Sequence, residues 1–374
     1  MLAVTLVTSL SACGGQKPAT PAGTQDGQAQ QQAPTGQQAQ ASTTAQAPQQ
    51  PASQTAKLAP LSPPVKIWIA EDGSPSGAGF YIAKEKGYFA EFGIEADIRP
   101  FESSKDMLPA IASDEVQVAG GILGANLFNA VSRGLNIKII ADKGTNNPGK
   151  SYYSMVVRKD LAGQIKDYKD LKGHKIGLFS VGTLNEYTVE KALLKGGLTV
   201  KDVELVPLGP PDISVALARK SIDLGMHIEP LITQGVKQGI FERWKDTTDF
   251  LPDAQIAVVL ASPKFVANEA LSKRFMVAYL RALRDYNDAF LKGKGKDQII
   301  DILAKYTDLK DKSLWNDVYV TGLNPNGQVN VKSLEDQLQW YKEKGTVTGN
   351  VDLNHVVDLS LAKFAVEYLG GEYK

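Results

Sequence analysis

A unit of strand, glycine-rich loop, helix and strand opens the folded part of this chain. Apolar residues alternate over 65–70, and the loop Ser74–Gly79 then leads into a helix over 80–88. A second strand is predicted over 93–98. A strand that passes through a helix into another strand is typical of a parallel sheet, which predicts an α/β fold.

The same unit recurs later in the chain. A strand over 175–179 is followed by the loop Ser180–Thr183, a helix over 184–195 and a strand over 203–206. The two copies lie too far apart for the period of a solenoid. We therefore expect two similar lobes, each built on a largely parallel sheet.

Composition and motifs exclude several classes of function. The chain has 41 basic and 41 acidic residues and one cysteine, so neither a nucleic-acid surface nor a disulfide framework is indicated. His174, His227 and His355 lack the spacing of paired metal ligands, and no nucleotide-binding glycine motif is present. We expect no metal, no cofactor and no catalytic residues.

The single cysteine, Cys13, lies where a bacterial lipoprotein signal is cleaved and lipidated. It follows an apolar run over 2–10 and the small residues Ser11 and Ala12. The run is too short to cross a bilayer, so residues 1–13 are interpreted as a signal segment with a lipobox. The start lacks the usual basic residues. Cys13 is predicted to anchor the protein to the membrane on its extracytoplasmic face.

Residues 14–64 are predicted to form a disordered tether. This stretch consists almost wholly of Gln, Ala, Thr, Pro, Gly and Ser. Such a composition offers little apolar surface to offset the entropy lost on ordering. A coil of about 50 residues spans on the order of 40 Å, enough for a folded body to move above a membrane.

Three loops are candidate ligand-binding elements: Ser74–Gly79, Gly120–Gly124 and Ser180–Thr183. Each follows a predicted strand and precedes a helix, whose first N–H groups are free to bind a ligand. Each alone also suits an ordinary helix cap. Because ligands bind beyond the carboxyl ends of strands in open α/β sheets, the three loops together predict one cleft. His227 and Glu229 follow another strand and are expected to face it.

Several motifs resemble one family of solute-binding proteins. They are the segment Phe80–Glu95, the run Asp170–Gly177 with Ser180–Thr183, and the segment Asp223–Pro230. These resemble the binding proteins of importers for nitrate, sulfonates, taurine, thiamine precursors and riboflavin.

The resemblance implies a type II periplasmic-binding-protein fold with a cleft between two lobes. Crossover strands are placed near 152–157 and 255–260. Lobe I then comprises 65–153 and 261–374, and lobe II comprises 154–260.

The resemblance also implies a function: capture of a small molecule by lobe closure and delivery to an ABC permease and its ATPase, by a monomer and without turnover. The ligand contacts expected from the loops and motifs are Asp72, Ser74, Ser76, Gly77, Phe80, Phe101, Gly121, Ile122, Asn126, Tyr152, Tyr153, Ser180, Val181, Gly182, Thr183, Asn185, His227 and Glu229.

The expected cleft segments contain aromatic, amide and acidic residues and no evident Arg or Lys clamp. This favours a flat heterocycle with N–H groups, such as riboflavin or a thiamine pyrimidine, over an anion. Helix N-termini can hold an anion without basic side chains, so nitrate, sulfonate or taurine remains the alternative. A secreted hydrolase is a further alternative, but no sequence motif supports it.

Overall fold

The computed structural model describes residues 57–101 and 104–374, which lie in one compact unit. Cys13 and the tether up to residue 56 lie outside the described residues. In chain order the described strands are β1 (Val65–Ala70), β2 (Ile94–Arg99), β3 (Val118–Ile122), β4 (Lys138–Thr145), β5 (Tyr153–Arg158), β6 (Lys175–Leu178), β7 (Glu204–Pro207), β8 (Leu224–Ile228), β9 (Phe241–Arg243) and β10 (Gln255–Ala261).

The helices lie on both sheets and between their strands. In the described part of the chain they are α1 (Ala78–Glu85), α2 (Tyr88–Glu91), α3 (Ser104–Ala112), α4 (Ala125–Ser132), α5 (Leu184–Lys195), α6 (Pro210–Ala218), α7 (Leu231–Lys237), α8 (Pro263–Ala267), α9 (Glu269–Lys292), α10 (Lys296–Tyr306), α11 (Val331–Glu343), α12 (Leu353–Val356) and α13 (Ser360–Tyr368). None of the helices described here is both long and apolar enough to cross a membrane.

The strands form two five-stranded sheets, ordered β2-β1-β3-β10-β4 and β7-β6-β8-β5-β9. In the first sheet β10 is antiparallel to β3 and β4, while β1 is parallel to β2 and β3. In the second, β5 is antiparallel to β8 and β9, while β6 is parallel to β7 and β8. The α/β class is confirmed, and both sheets are mixed.

In each sheet, the antiparallel strand is the first strand that the chain forms after it crosses over from the other sheet. The chain leaves β4 at its carboxyl end and enters the second sheet as β5, and it returns to the first sheet as β10. A chain that enters a sheet from the edge where the other strands end must run against them. β5 starts at Tyr153 and β10 starts at Gln255, close to the predicted crossovers.

The N-terminal part of the described chain is packed against the first sheet. Leu58 and Leu61 contact its apolar core, and the Leu61 amide donates to the Phe92 carbonyl at 2.9 Å. A Cβ atom at Gly93 would lie 2.4 Å from the Leu61 carbonyl oxygen, and its φ is +70°, so glycine suits this contact. The predicted tether is therefore wrong for residues 58–61, whose two leucines contact the apolar core of the first sheet.

The apolar stripe of α9 is core, as its spacing predicts. Phe275 and Tyr279 are fully buried, and the Phe80 ring lies 5.0 Å from that of Tyr279. The helix predicted over 80–88 is divided, because Gly87 has a left-handed backbone with φ +75° and separates α1 from α2. α1 packs against α9, and this packing fixes the position of the loop that precedes α1.

Candidate functional site

A cavity of about 580 Å³, here called the main cavity, is bounded by residues of both sheets. It lies beyond the carboxyl ends of β1, β3, β6 and β8, where the crossover strands β5 and β10 begin. A cavity of this size is typical of small-molecule sites. Of the predicted contacts, those that line it are Asp72, Phe101, Gly121, Asn126, Tyr153, Ser180, Gly182, Thr183 and Asn185.

A smaller chamber of about 120 Å³ adjoins the main cavity. The two share Asp72, Ile228 and Ile256 in their walls. The predicted contacts that line the chamber are Asp72, Ser74, Ser76, Tyr152 and Glu229. The remaining wall is mostly apolar and includes Trp315 and Leu309.

Tyr153 is fixed at the start of β5 from several directions. Its backbone is hydrogen-bonded on both sides to the buried amide of Asn146, at 3.1 and 3.2 Å. Its hydroxyl accepts from Asn185 Nδ2 at 2.7 Å, and its ring lies 6.4 Å from the Phe179 ring. A side chain held in this way offers a planar surface at little entropic cost.

The loop Ser180–Thr183 ends in a capped helix. The Thr183 hydroxyl accepts from the Asn185 amide at 3.3 Å, and the Gly182 amide donates to the Glu186 carboxylate at 2.7 Å. The helix predicted over 184–195 matches α5 at both ends. The Val181 side chain is 49% exposed and is not among the residues that line the two cavities.

A buried ion pair that the sequence analysis missed supports the first loop. Lys143 Nζ lies 3.1 Å from Glu71 Oε1 and donates to Ser76 Oγ at 2.7 Å. Lys143 and Glu71 are 3% and 4% exposed. The sequence contained a sign of this pair, because the charged residues Asp142 and Lys143 directly follow an apolar run within β4. The expected absence of a basic residue is therefore wrong for the chamber, which Lys143 lines, although its ammonium is engaged by Glu71.

Glu229 holds the chamber wall. Its carboxylate accepts from the Thr233 amide and hydroxyl, each at 3.0 Å, and from the Tyr319 amide at 3.2 Å. The Arg243 guanidinium also contacts this carboxylate and lies 3.9 Å from the Tyr319 ring centre. With these partners Glu229 is suited to position the wall.

Two predicted contacts lie in the core and are corrected. Phe80 is fully buried against Phe275 and Tyr279, because α1 turns that face towards α9. His227 is fully buried, with Nε2 2.8 Å from Ser214 Oγ and its ring against Phe241. It is on the side of β8 that faces away from the cavity, and burial lowers its pKa to about 4.

Gly77 also falls outside the set of lining residues, and the side chain of Ile122 lies outside what the structure describes. A Cβ atom at Gly77 would lie 2.6 Å from the Tyr81 ring and 2.8 Å from the Glu71 carboxyl carbon, so Gly77 allows close packing behind the loop. Ile122 ends β3, and its neighbours Gly121 and Leu123 line the main cavity.

Residues 74–288 match the family described as NMT1/THI5 like. The chain belongs to this NMT1/THI5 like family. The match spans the loop at Ser74, both crossover strands and most of α9.

The sequence relatives of this NMT1/THI5 like chain include a protein named as a binding protein and a protein named as an enzyme. The chain is 30% identical to the taurine-binding periplasmic protein of Escherichia coli over 161 residues, 42% of this chain and 47% of the relative. It is 29% identical to the 4-amino-5-hydroxymethyl-2-methylpyrimidine phosphate synthase of Aspergillus parasiticus over 163 residues, 42% of this chain and 43% of the relative.

Solved structures confirm the periplasmic-binding-protein fold. The periplasmic aliphatic sulphonate binding protein of Escherichia coli superposes with a TM-score of 0.62 at 21% identity, covering 78% of this chain and 91% of that one. At this identity the likeness establishes the fold of the NMT1/THI5 like chain.

Proposed function

We propose that this protein is the solute-binding component of an ABC importer and that it captures a small, flat heterocycle bearing N–H groups. The observation that carries the proposal is the main cavity, because it is bounded by both sheets and lined by aromatic rings, amides and carboxyls. Closure of two lobes over such a cavity requires a ligand that binds the closed state more tightly.

The charges around the cavities support a ligand with hydrogen-bond donors over an anion. Among the residues whose side chains the structure describes, those that line the main cavity include Glu71 and Asp72 and no Arg or Lys. Lys143 in the chamber is engaged by Glu71, and Arg243 is engaged by Glu229. A sulfonate or nitrate would meet the Asp72 carboxylate, and the Lys143 ammonium in the same chamber is already engaged by Glu71.

The oxyanion alternative has its own support. The taurine-binding and sulphonate-binding relatives are named for anionic or zwitterionic solutes. The loop Ser180–Thr183 also presents the N-terminus of the twelve-residue helix α5 to the main cavity. Such a terminus can hold an oxyanion. We rank this function second because of Asp72.

The proposal places the protein at the membrane and assigns it no turnover. Lipidated Cys13 would retain it on the extracytoplasmic face, close to the permease and its ATPase. We propose that the folded body acts as a monomer, with residues 65–153 and 261–374 as lobe I and 154–260 as lobe II. The partners of β5 in the second sheet support this division. The second boundary is corrected, because β10 pairs with β3 and β4 of the first sheet and lobe I therefore resumes at β10.

The test is to identify the small molecule that co-purifies with the full chain. The protein is denatured, and the released compound is identified by mass spectrometry and visible absorption, with the Asp72→Asn variant processed in parallel. We expect a nitrogen heterocycle in the wild type and less of it in the variant. Recovery of a sulfonate, retained equally by the variant, would support the second function.

A further inference from the structure

The chamber beside the main cavity is small and mostly apolar. Its volume is about 120 Å³, against about 580 Å³ for the main cavity. Apolar and aromatic side chains form most of its wall, and they come from both sheets and from residues 309–321, here called the strap. The strap lies beyond residues 74–288, the part of the chain that matches the family. The chamber is therefore closed on one side by a segment that the family match does not cover.

Several polar groups in the chamber wall are bonded to one another. Ser76 Oγ accepts from Lys143 Nζ at 2.7 Å and lies 2.7 Å from Ser74 Oγ. Trp315 Nε1 donates to the Leu309 carbonyl at 3.2 Å. An apolar group that enters the chamber therefore takes no hydrogen bond away from these groups. It displaces water that an apolar wall orders poorly, which gains affinity.

The strap is held in place by residues that follow strands of both sheets. The Tyr319 amide donates to the Glu229 carboxylate at 3.2 Å, and the Tyr319 ring lies 3.9 Å from the Arg243 guanidinium. Asn147 Nδ2 donates to the Val320 carbonyl at 3.1 Å. These contacts fix the distance from the strap to the opposite wall, so the chamber has a defined size.

The chamber and the main cavity meet at Asp72. This exposed residue lines both spaces, together with Ile228 and Ile256. A ligand nitrogen that donates to the Asp72 carboxylate lies where the two spaces meet. A substituent on that nitrogen can therefore extend into the chamber while the rest of the ligand occupies the main cavity.

We propose that the solute carries an apolar arm of about four or five carbon atoms, which fills the chamber. An apolar cavity of about 150 Å³ holds a benzene molecule, so a chamber of this smaller volume holds about four or five carbons. Leu309, Trp315 and Val318 of the strap determine specificity, because they limit the length of the arm. This inference rests on the proposed function and adds the apolar part of the solute.

The test is a series of 4-(alkylamino)pyrimidines with unbranched alkyl groups from methyl to octyl. Each compound keeps one N–H group for Asp72 and carries its alkyl group on the same nitrogen. Isothermal titration calorimetry is carried out on the full chain. We expect affinity to rise about fourfold with each added carbon up to butyl or pentyl, and to fall for longer chains that overfill the chamber.

Two variants change the size of the chamber in opposite directions. Leu309→Ala removes about three carbon atoms from its wall, so the best-binding alkyl group should become longer by about two or three carbons. Ala257→Leu fills the chamber, so the butyl compound should lose its gain over the methyl compound, about 10- to 100-fold. The matched control is Ala218→Leu at an exposed position of α6, which should keep the wild-type profile.

The outcomes separate this inference from the proposed function. If the wild type binds the methyl compound and longer chains bring no gain, the inference is wrong and the function stands. The inference is also wrong if Leu309→Ala keeps the wild-type optimum. If the wild type binds no compound of the series but binds taurine, the heterocycle proposal itself is overturned. The wild-type profile decides the matter even if Ala257→Leu fails to fold.

Discussion

In the proposed function, Asp72 is the residue on which the choice of solute most depends. It lies in the walls of both cavities and its carboxyl is ionised at neutral pH, since its pKa is lowered to about 2. A ligand that donates an N–H group gains a charge-assisted hydrogen bond there, whereas an anion is repelled.

Replacing Asp72 by Asn should therefore weaken binding of an N–H-bearing heterocycle. A lost charge-assisted hydrogen bond corresponds to about 10- to 100-fold in affinity. Calorimetric titration of the 4-amino-5-hydroxymethyl-2-methylpyrimidine probe measures the change. Asp297→Asn, at an exposed position in α10, is the control and should bind like the wild type. Equal affinity in all three proteins would remove Asp72 from the site.

His227 makes a separate prediction about stability. Its pKa is lowered by burial to about 4, so the unfolded state binds the proton at a higher pH than the folded state does. Stability from this group is present above about pH 6.5 and is lost as the pH falls towards 4. The loss is on the order of 2–3 kcal/mol at the acidic end.

The His227→Gln variant tests this by urea unfolding at several pH values. Glutamine can keep a hydrogen bond to Ser214 and carries no titrating group. We expect the fall in stability between about pH 6.5 and about pH 4 to be smaller in the variant by the amount given above. An identical fall in both proteins would show that His227 does not contribute to it.

At the scale of elements, the packing of α1 on α9 fixes the loop at Ser74. Gly79 in α1 permits the contact, since a Cβ atom there would lie 2.4 Å from Tyr279 Cε2 and 2.8 Å from Leu283 Cδ2. Overpacking of a core typically costs about 1–3 kcal/mol, while replacing glycine in a helix gains about 1 kcal/mol. The packing term is the larger of the two.

Gly79→Ala should therefore lower the free energy of unfolding by up to about 2 kcal/mol in urea titrations. Gly163→Ala is a suitable control because nothing lies within 4 Å of a Cβ atom at that position. We expect the control to stay within about 0.5 kcal/mol of the wild type. A Gly79→Ala protein that is as stable as the control would mean that the helices can move apart without cost.

The elements were more predictable from the sequence than the side chains of the site. The loop after Ser180 ends in Thr183, which caps the N-terminus of α5. Because this signal is local, the bounds of α5 could be predicted from the sequence. The loop residues of the site followed from the rule that strands end at a common edge. Lys143 and Glu71 could not be paired, because they come from strands far apart in sequence. Phe80 and His227 were misplaced because a strand end or helix start does not show which way a side chain turns.

At the scale of the molecule, polar contacts join the two sheets' helices on one side of the main cavity. Lys344, which follows α11, lies 3.0 Å from Glu186 Oε1 and 2.9 Å from Glu190 Oε2 of α5. Trp340 Nε1 also donates to Glu190 at 2.9 Å. These contacts stabilise the arrangement in which the cavity is enclosed.

Lys344→Met should weaken ligand binding although Lys344 does not line either cavity. Loss of a partly exposed ion pair shifts the closed population modestly, so we expect about two- to fivefold lower affinity, mainly through faster dissociation. Stopped-flow kinetics with the same pyrimidine measures this, with the exposed Lys342→Met as control. Unchanged dissociation rates in Lys344→Met would show that this contact does not hold the closed form.

The central claim is that the two sheets enclose a site for a nitrogen heterocycle and that the protein binds it without converting it. Calorimetric titration of the wild type with 4-amino-5-hydroxymethyl-2-methylpyrimidine and with taurine, followed by recovery of each compound, tests it most directly. We predict saturable one-to-one binding of the pyrimidine, recovered unchanged, and much weaker binding of taurine. Saturable binding of taurine with no heat from the pyrimidine would contradict the account.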